Sequence, residues 1–263
     1  MRKLFLLVLM SLMPFALHGQ TSHPILSLGS PAPYFSLPGV DGKSHTLKDY
    51  ASSPVLVVVF TCNHCPIAQM YERRIERLYD DYGKRGVAVV AIQGNDPQAT
   101  TIDELDSSDI GDTLAEMRIR AQYKHLHYPY LYDGDAQTVT RAYGPQATPH
   151  VFIFDRERKL RYEGRFDNSY RIEKVTTHDA QNVIDALLAN QPIPVTHTNV
   201  FGCSTKWAEK RALQSLGGGA RAWPQGARSI PFSTEAWSQG CHPGENLIRG
   251  SMTKCSKRVP HCS

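Results

Sequence analysis

Apolar positions along the chain alternate between the pattern of buried strands and that of amphipathic helices. Residues 54–60 (Pro-Val-Leu-Val-Val-Val-Phe) form an unbroken, largely β-branched apolar run, the pattern of a strand covered on both faces. Ile67, Met70, Tyr71, Ile75, Leu78 and Tyr82 then recur at helical spacing and predict a helix over 64–85. Pro66 falls in its first turn, where proline is tolerated. Residues 87–93 read as a second buried strand. Strand, helix and strand together make a βαβ unit with a parallel sheet, which places the chain in the α/β class.

The flanking patterns extend this unit in both directions. Upstream, 33–50 reads as a hairpin with Asp41-Gly42 at its turn. Downstream, the polar stretch 94–112 predicts loop with a short helical turn. A helix over 113–125 follows, carrying Leu114, Met117, Ala121 and Tyr123. Further expectations are a strand at 129–132, a short helix at 136–143, strands at 150–155 and 159–163, and a closing helix at 179–190.

The two ends differ in character from this body. Arg2 and Lys3 precede an apolar run from Leu4 to Leu17, with the small residue Gly19 behind it. That run is short for a permanent span, so residues 1–19 are expected to be a cleaved secretory signal, with an uncleaved anchor as the alternative. The mature chain is then expected in the periplasm or another extracytoplasmic compartment, without a stable membrane span, where disulfides persist. Residues 26–190 are expected to form the folded domain and 191–211 a C-terminal extension. From 212 to 263 the chain is rich in Gly, Pro, Ser and Arg without periodic pattern, which predicts a mostly disordered tail.

Composition adds little except at the tail. Hydrophobic and charged fractions of 41% and 21% over 263 residues are those of an ordinary globular protein. The formal net charge of +4 owes much to Arg221–Arg258, so no nucleic-acid-binding surface is expected on the body.

The chemistry sits in Cys62-Asn63-His64-Cys65-Pro66, between the first buried strand and the helix. The thiolate is the reactive form of cysteine, and a helix N-terminus favours negative charge. With the helix starting here, Cys62 is expected as the attacking nucleophile and Cys65, one turn further in, as the resolving thiol. His64, when protonated, would lower the Cys62 thiol further and make the disulfide more oxidising; otherwise it is a solvated histidine at a helix start. Half of a zinc site and an inert disulfide are competing readings. Zinc needs two further ligands, and Cys241, His242, Cys255, His261 and Cys262 are irregularly spaced. Cys203 is open between a third redox thiol, a core cysteine and a partner for the tail.

Several runs together resemble the thioredoxin superfamily, and most closely its redoxin branch of alkyl hydroperoxide reductase/thiol-specific antioxidant proteins. They are Leu28 to Pro33 with Phe35 and Leu37, Val55 to Pro66, Asp133 to Gln137, Arg141 to Gly144, and Thr148 to Asp155. Phe201 to Trp207 also looks like a feature of the peroxiredoxin-like subgroup carrying Cys-Asn-His-Cys-Pro. The resemblance covers about residues 26–190. It implies a thioredoxin-like fold, a central mixed sheet flanked by helices, with the hairpin as an N-terminal extension. It also implies a cis peptide bond at Pro149, facing the dithiol. The catalytic set is then Cys62, Cys65, His64 and Pro149, with no resident cofactor or metal. Expected partners are protein thiols or disulfides and a membrane or exported redox partner.

One departure bears on the reaction. Typical peroxiredoxins carry Thr or Ser three residues before the reactive cysteine, and here that position is Val59. Arg141 offers a guanidinium, although a helix-surface charge is the simpler reading. Thiol–disulfide exchange on protein substrates is therefore favoured over thiol peroxidase activity. A copper-binding chaperone using Cys62 and Cys65 with His64 or His150 is a third reading.

Overall fold

In the computed structural model, residues 23–211 are described, apart from 106, 107 and 109. The expectations for 1–19 and for 212–263 lie outside the described residues. The elements in chain order begin with β1 (Ser36–Pro38), β2 (Ser44–Thr46), β3 (Leu56–Thr61), α1 (Pro66–Gly83) and β4 (Ala88–Gln93). They continue with α2 (Ile102–Leu105), α3 (Leu114–Lys124), β5 (Tyr130–Tyr132), α4 (Thr138–Tyr143) and β6 (Ala147–Thr148). The last are β7 (His150–Phe154), β8 (Leu160–Gly164), α5 (Asp179–Leu188) and β9 (Cys203–Ser204).

The central sheet has the order β5-β4-β3-β7-β8. β3 pairs parallel with β4 and antiparallel with β7, so the expected βαβ unit stands and the sheet is mixed. β3 is buried along its whole length because both faces are covered. Val57 and Val59 point into one core, where Tyr71, Ile75 and Leu78 of α1 meet Val183 and Ile184 of α5. Leu56, Val58 and Phe60 point the other way, onto Val139 and Tyr143 of α4 and onto Phe35 and Leu37 beside the N-terminal hairpin. Strand alternation thus divides one apolar run between two cores. The loop expected at 94–112 contains α2 and a 3-10 turn at Pro97–Ala99.

Two elements escape the sequence patterns. β6 and β9 are two residues each and form a separate antiparallel ladder, with Ala147 opposite Ser204 and Thr148 opposite Cys203. A two-residue strand has no periodicity to read. The segment that supplies β9 is bound at many points. Glu163 and His197 share a parallel bridge. Thr205 donates to the carbonyls of Gln146 and Pro145, and Lys206 exchanges hydrogen bonds with Asn95 and Asp96. Gly202 takes φ = +137°, and a β-carbon there would run into the Thr148 carbonyl oxygen, so glycine allows this close approach.

Candidate active site

β3 and β4 run parallel, and the chain leaving their carboxyl ends builds the site, the usual place for function in such sheets. From β3 comes Thr61-Cys62-Asn63-His64-Cys65, and α1 starts at Pro66. Cys65 is the N-cap residue, and its Sγ accepts from the Ala68 N–H at 3.5 Å. The expectation that the helix N-terminus would act on Cys62 is therefore corrected. Helix geometry begins four residues later, and its free N–H groups meet Cys65.

Both sulfurs are deeply placed, with Cys62 2% and Cys65 0% exposed. Thr148, on β6, faces them both: its Oγ1 is 3.2 Å from the Cys62 Sγ, and its carbonyl oxygen is 3.5 Å from the Cys65 Sγ. The Thr148–Pro149 peptide bond is cis. Cys203 packs against the same cluster.

The electrostatics divide the pair. Burial pushes the Cys62 thiol well above its ordinary range, and the hydrogen bond to Cys65 and the Asp112 charge add to this. Cys65 moves down: hydrogen bonds from the Cys203 thiol, from Cys62 and from the Ala68 N–H outweigh its desolvation. The pair is thus polarised, with negative charge favoured on Cys65 over Cys62. Two thiols this close titrate as one unit.

His64 is buried against Asp112, with Nδ1 2.6 Å from the carboxylate Oδ2. Asp112 also accepts from the backbone N–H groups of Asn63 at 2.8 Å and His64 at 3.2 Å. Its backbone carbonyl accepts from Gln93, and Asn95 donates to its side chain. A solvated His64 is thus excluded; the ring is fixed, and its Nε2 is buried without a hydrogen-bond partner. Asp112, Gln93 and Asn95 were not legible as site residues, and Thr148 was legible only as the residue before the expected cis-proline. Asp112 lies 48 positions from His64, in a polar stretch that reads as loop.

Among the described residues, ligand atoms of Cys62, His64 and Asp112 lie within 4.8 Å of one another and are the groups that could hold a metal ion. The Asp112 oxygens are already engaged by Asn63, His64 and Asn95. His150, the other ligand named for copper, is bonded to Glu163 at 2.9 Å and accepts from the Gln146 N–H. Arg141 pairs with Glu209 and lies over the Trp207 ring, the surface role expected for it.

A family model described as AhpC/TSA family matches residues 28–163. The chain belongs to the AhpC/TSA family. It is an oxidoreductase of this redoxin branch and carries the thioredoxin-like fold. Two proteins named thiol-disulfide oxidoreductase ResA are similar to it, from Geobacillus thermodenitrificans (strain NG80-2) at 26% identity and Geobacillus kaustophilus (strain HTA426) at 25%. Each match spans 165 residues, 61% of this chain and 83% of the relative. Among solved structures, a hypothetical protein from Sinorhizobium meliloti 1021 is 34% identical with a TM-score of 0.62, covering 70% of this chain and 97% of that one. An uncharacterized conserved protein from Geobacillus kaustophilus is 36% identical with a TM-score of 0.61, covering 70% and 93%.

Proposed function

We propose that this chain exchanges thiols and disulfides by cycling Cys62 and Cys65 between dithiol and disulfide. The observation that carries the reading is that Cys62 and Cys65 lie in one buried cluster, both facing Thr148, with the Cys65 sulfur capping α1. When the proton passes from Cys62 to Cys65, the new Cys62 thiolate faces the Thr148 hydroxyl. That thiolate attacks a substrate disulfide, forms a mixed disulfide and releases one substrate thiol. Cys65 then attacks the Cys62 sulfur, closes the Cys62–Cys65 disulfide and frees the second substrate thiol. His64, held by Asp112, is the base placed to move protons at this end of the sheet.

A second reading has its own observation. Position 59 carries no hydroxyl, but that of Thr148 lies 3.2 Å from the Cys62 Sγ. A peroxide there would be cleaved by Cys62, giving a sulfenic acid and the leaving alcohol or water. Cys65 would then condense with it to the disulfide and a second water. Insulin disulfide reduction and hydrogen peroxide consumption, measured in parallel for wild type, Cys62→Ser and Cys65→Ser, separate the readings. Insulin reduction lost in both variants, with slow peroxide turnover throughout, supports exchange. Activity left intact by Cys62→Ser overturns both readings.

The Arg2-Lys3 start and the apolar run to Leu17 support export of the mature chain, with a redox partner outside the cytoplasm. N-terminal sequencing of protein recovered from cell fractions tests this. Stoichiometric copper retained on purification of the reduced protein would favour the chaperone reading instead, and its absence would sink that reading.

A further inference from the structure

The proposed exchange leaves a problem of access. Cys62 and Cys65 are both buried, yet a protein disulfide or dithiol must bring a sulfur into line with one of them. Of the three described cysteines, Cys203 alone is half-exposed. It is held at the site by the ladder that sets Cys203 opposite Thr148, the residue whose hydroxyl and carbonyl face the two active sulfurs. Cys203 packs directly against the buried cluster of Cys62, Cys65 and Ala68.

The strap carrying Cys203 is fastened on both sides of this point. The Asp96 N–H donates to the Lys206 carbonyl at 2.8 Å, the Lys206 N–H to Asn95 Oδ1 at 2.8 Å, and Gln137 Nε2 to the Lys206 carbonyl at 2.9 Å. Lys206 Nζ, itself buried, pairs with Glu104 at 2.8 Å. Gly202 lets the backbone pass against Thr148 where any side chain would collide. These bonds fix Cys203 beside Cys65 in the folded chain, as an intramolecular thiol at high effective concentration.

We infer that Cys203 is a third redox thiol, which receives the disulfide from Cys65 and presents it at the surface to the redox partner. The inference rests on the thiol–disulfide exchange reading and assigns its route. In the oxidised protein, the Cys203 thiolate attacks the Cys65 sulfur of the Cys62–Cys65 disulfide. The Cys65–Cys203 bond forms as the Cys62–Cys65 bond breaks, and the electron pair leaves on Cys62, where the Thr148 hydroxyl can donate to it. The proton lost by Cys203 goes to solvent and is returned to Cys62, so the step is an isomerisation with no net oxidation. In the reduced protein, the hydrogen bond to Cys65 and burial keep the Cys203 thiol protonated. Oxidation consumes the Cys65 thiolate and removes the first of these causes.

The test uses the full chain with Cys241, Cys255 and Cys262 changed to Ser, beside the unmodified chain. Each is reduced, equilibrated with graded glutathione disulfide, acid-quenched, alkylated with N-ethylmaleimide and mapped by peptide mass spectrometry. The expected result is a Cys65–Cys203 linked peptide alongside the Cys62–Cys65 peptide, becoming the main product in Cys62→Ser and absent from Cys203→Ser. A chain that forms Cys62–Cys65 while Cys203 stays fully alkylated overturns this inference and leaves the exchange reading standing. Cys62→Ser protein that ends with glutathione on Cys65 and a free Cys203 overturns it as well, as does Cys203 paired to a tail cysteine. If neither Cys62 nor Cys65 enters any disulfide, the exchange reading itself fails.

Discussion

The Nδ1 atom of His64 lies 2.6 Å from the carboxylate of Asp112, and both side chains are buried. The same carboxylate accepts the backbone N–H groups of Asn63 and His64. It therefore holds the loop between the two cysteines as well as the ring. Removing it strips four donors, the Asn63 and His64 N–H groups, the His64 ring and the Asn95 amide, of their acceptor inside the protein, and a broken buried pair costs about 3–5 kcal/mol. Asp112→Ala is expected to lower the thermal midpoint by on the order of 10 °C. The reactivity of Cys62 towards iodoacetamide should change at the same time. A midpoint within about 2 °C of wild type would show that the loop is held elsewhere.

Thr148 offers a hydroxyl to Cys62 in the state that attacks. A hydrogen bond to a charged group contributes about 1.5–3 kcal/mol, which corresponds to tenfold or more in rate. Thr148→Val keeps the shape and removes the hydroxyl. Its rate constants with insulin and with peroxide should fall about tenfold, with the circular dichroism spectrum unchanged. Equal rates in wild type and variant would remove Thr148 from the chemistry.

The placement of the thiolate has its own signature. Cys65 is held below the ordinary thiol range and Cys62 above it. In the reduced protein, thiolate absorbance at 240 nm should persist well below about pH 8.5, the usual thiol value. In Cys65→Ser that acid-stable absorbance should vanish, because the remaining Cys62 thiol is pushed up by burial. Acid-stable absorbance lost in Cys62→Ser but kept in Cys65→Ser would reverse the assignment.

Glu163 bridges two histidines, His150 at 2.9 Å and His197 on the strap. Burial pushes the Glu163 carboxyl up, but hydrogen bonds from both histidines bring it below its ordinary range. Burial also pushes His150 down. In each case the unfolded chain binds the proton more readily. Stability is therefore full above about pH 6.5, falls first as unfolded histidine is protonated, and falls again below about pH 4.3. Thermal midpoints measured from pH 7 to pH 3 should decline through both ranges. Glu163→Gln should start lower at pH 7 and lose the steeper acid limb; an identical profile would show that the bridge adds nothing.

Gly202 permits the approach of the strap to Thr148. Gly202→Ala places a β-carbon in a left-handed region and against a carbonyl oxygen, at about 1–3 kcal/mol. The expected outcome is faster alkylation of Cys203 and amide exchange of residues 203–206 well before global unfolding. Unchanged protection of those amides would mean that the strap accommodates the methyl group.

Much of this protein is determined by the local run of its residues. The apolar block at Val55–Phe60, the helical spacing from Ile67 to Tyr82 and the second block at Val87–Ile92 are strong enough to specify strand, helix and strand, and these place Cys62 and Cys65 at the end of a buried strand. Burial on both faces follows from the same residues, because β3 is apolar on both faces from Leu56 to Phe60. The tertiary structure decided what the local patterns could not carry. Which cysteine caps α1 depends on where the helix starts, within a few residues, and the structure gives that place to Cys65. Asp112 and Thr148 reach the site from 48 and 86 positions away, through the packing of a loop and a two-residue strand. Cys203 meets Cys65 because backbone hydrogen bonds fold the strap back, and those bonds are blind to side-chain type. Pattern along the chain reports what is buried, whereas the company that a buried sulfur keeps is set by distant segments meeting in space.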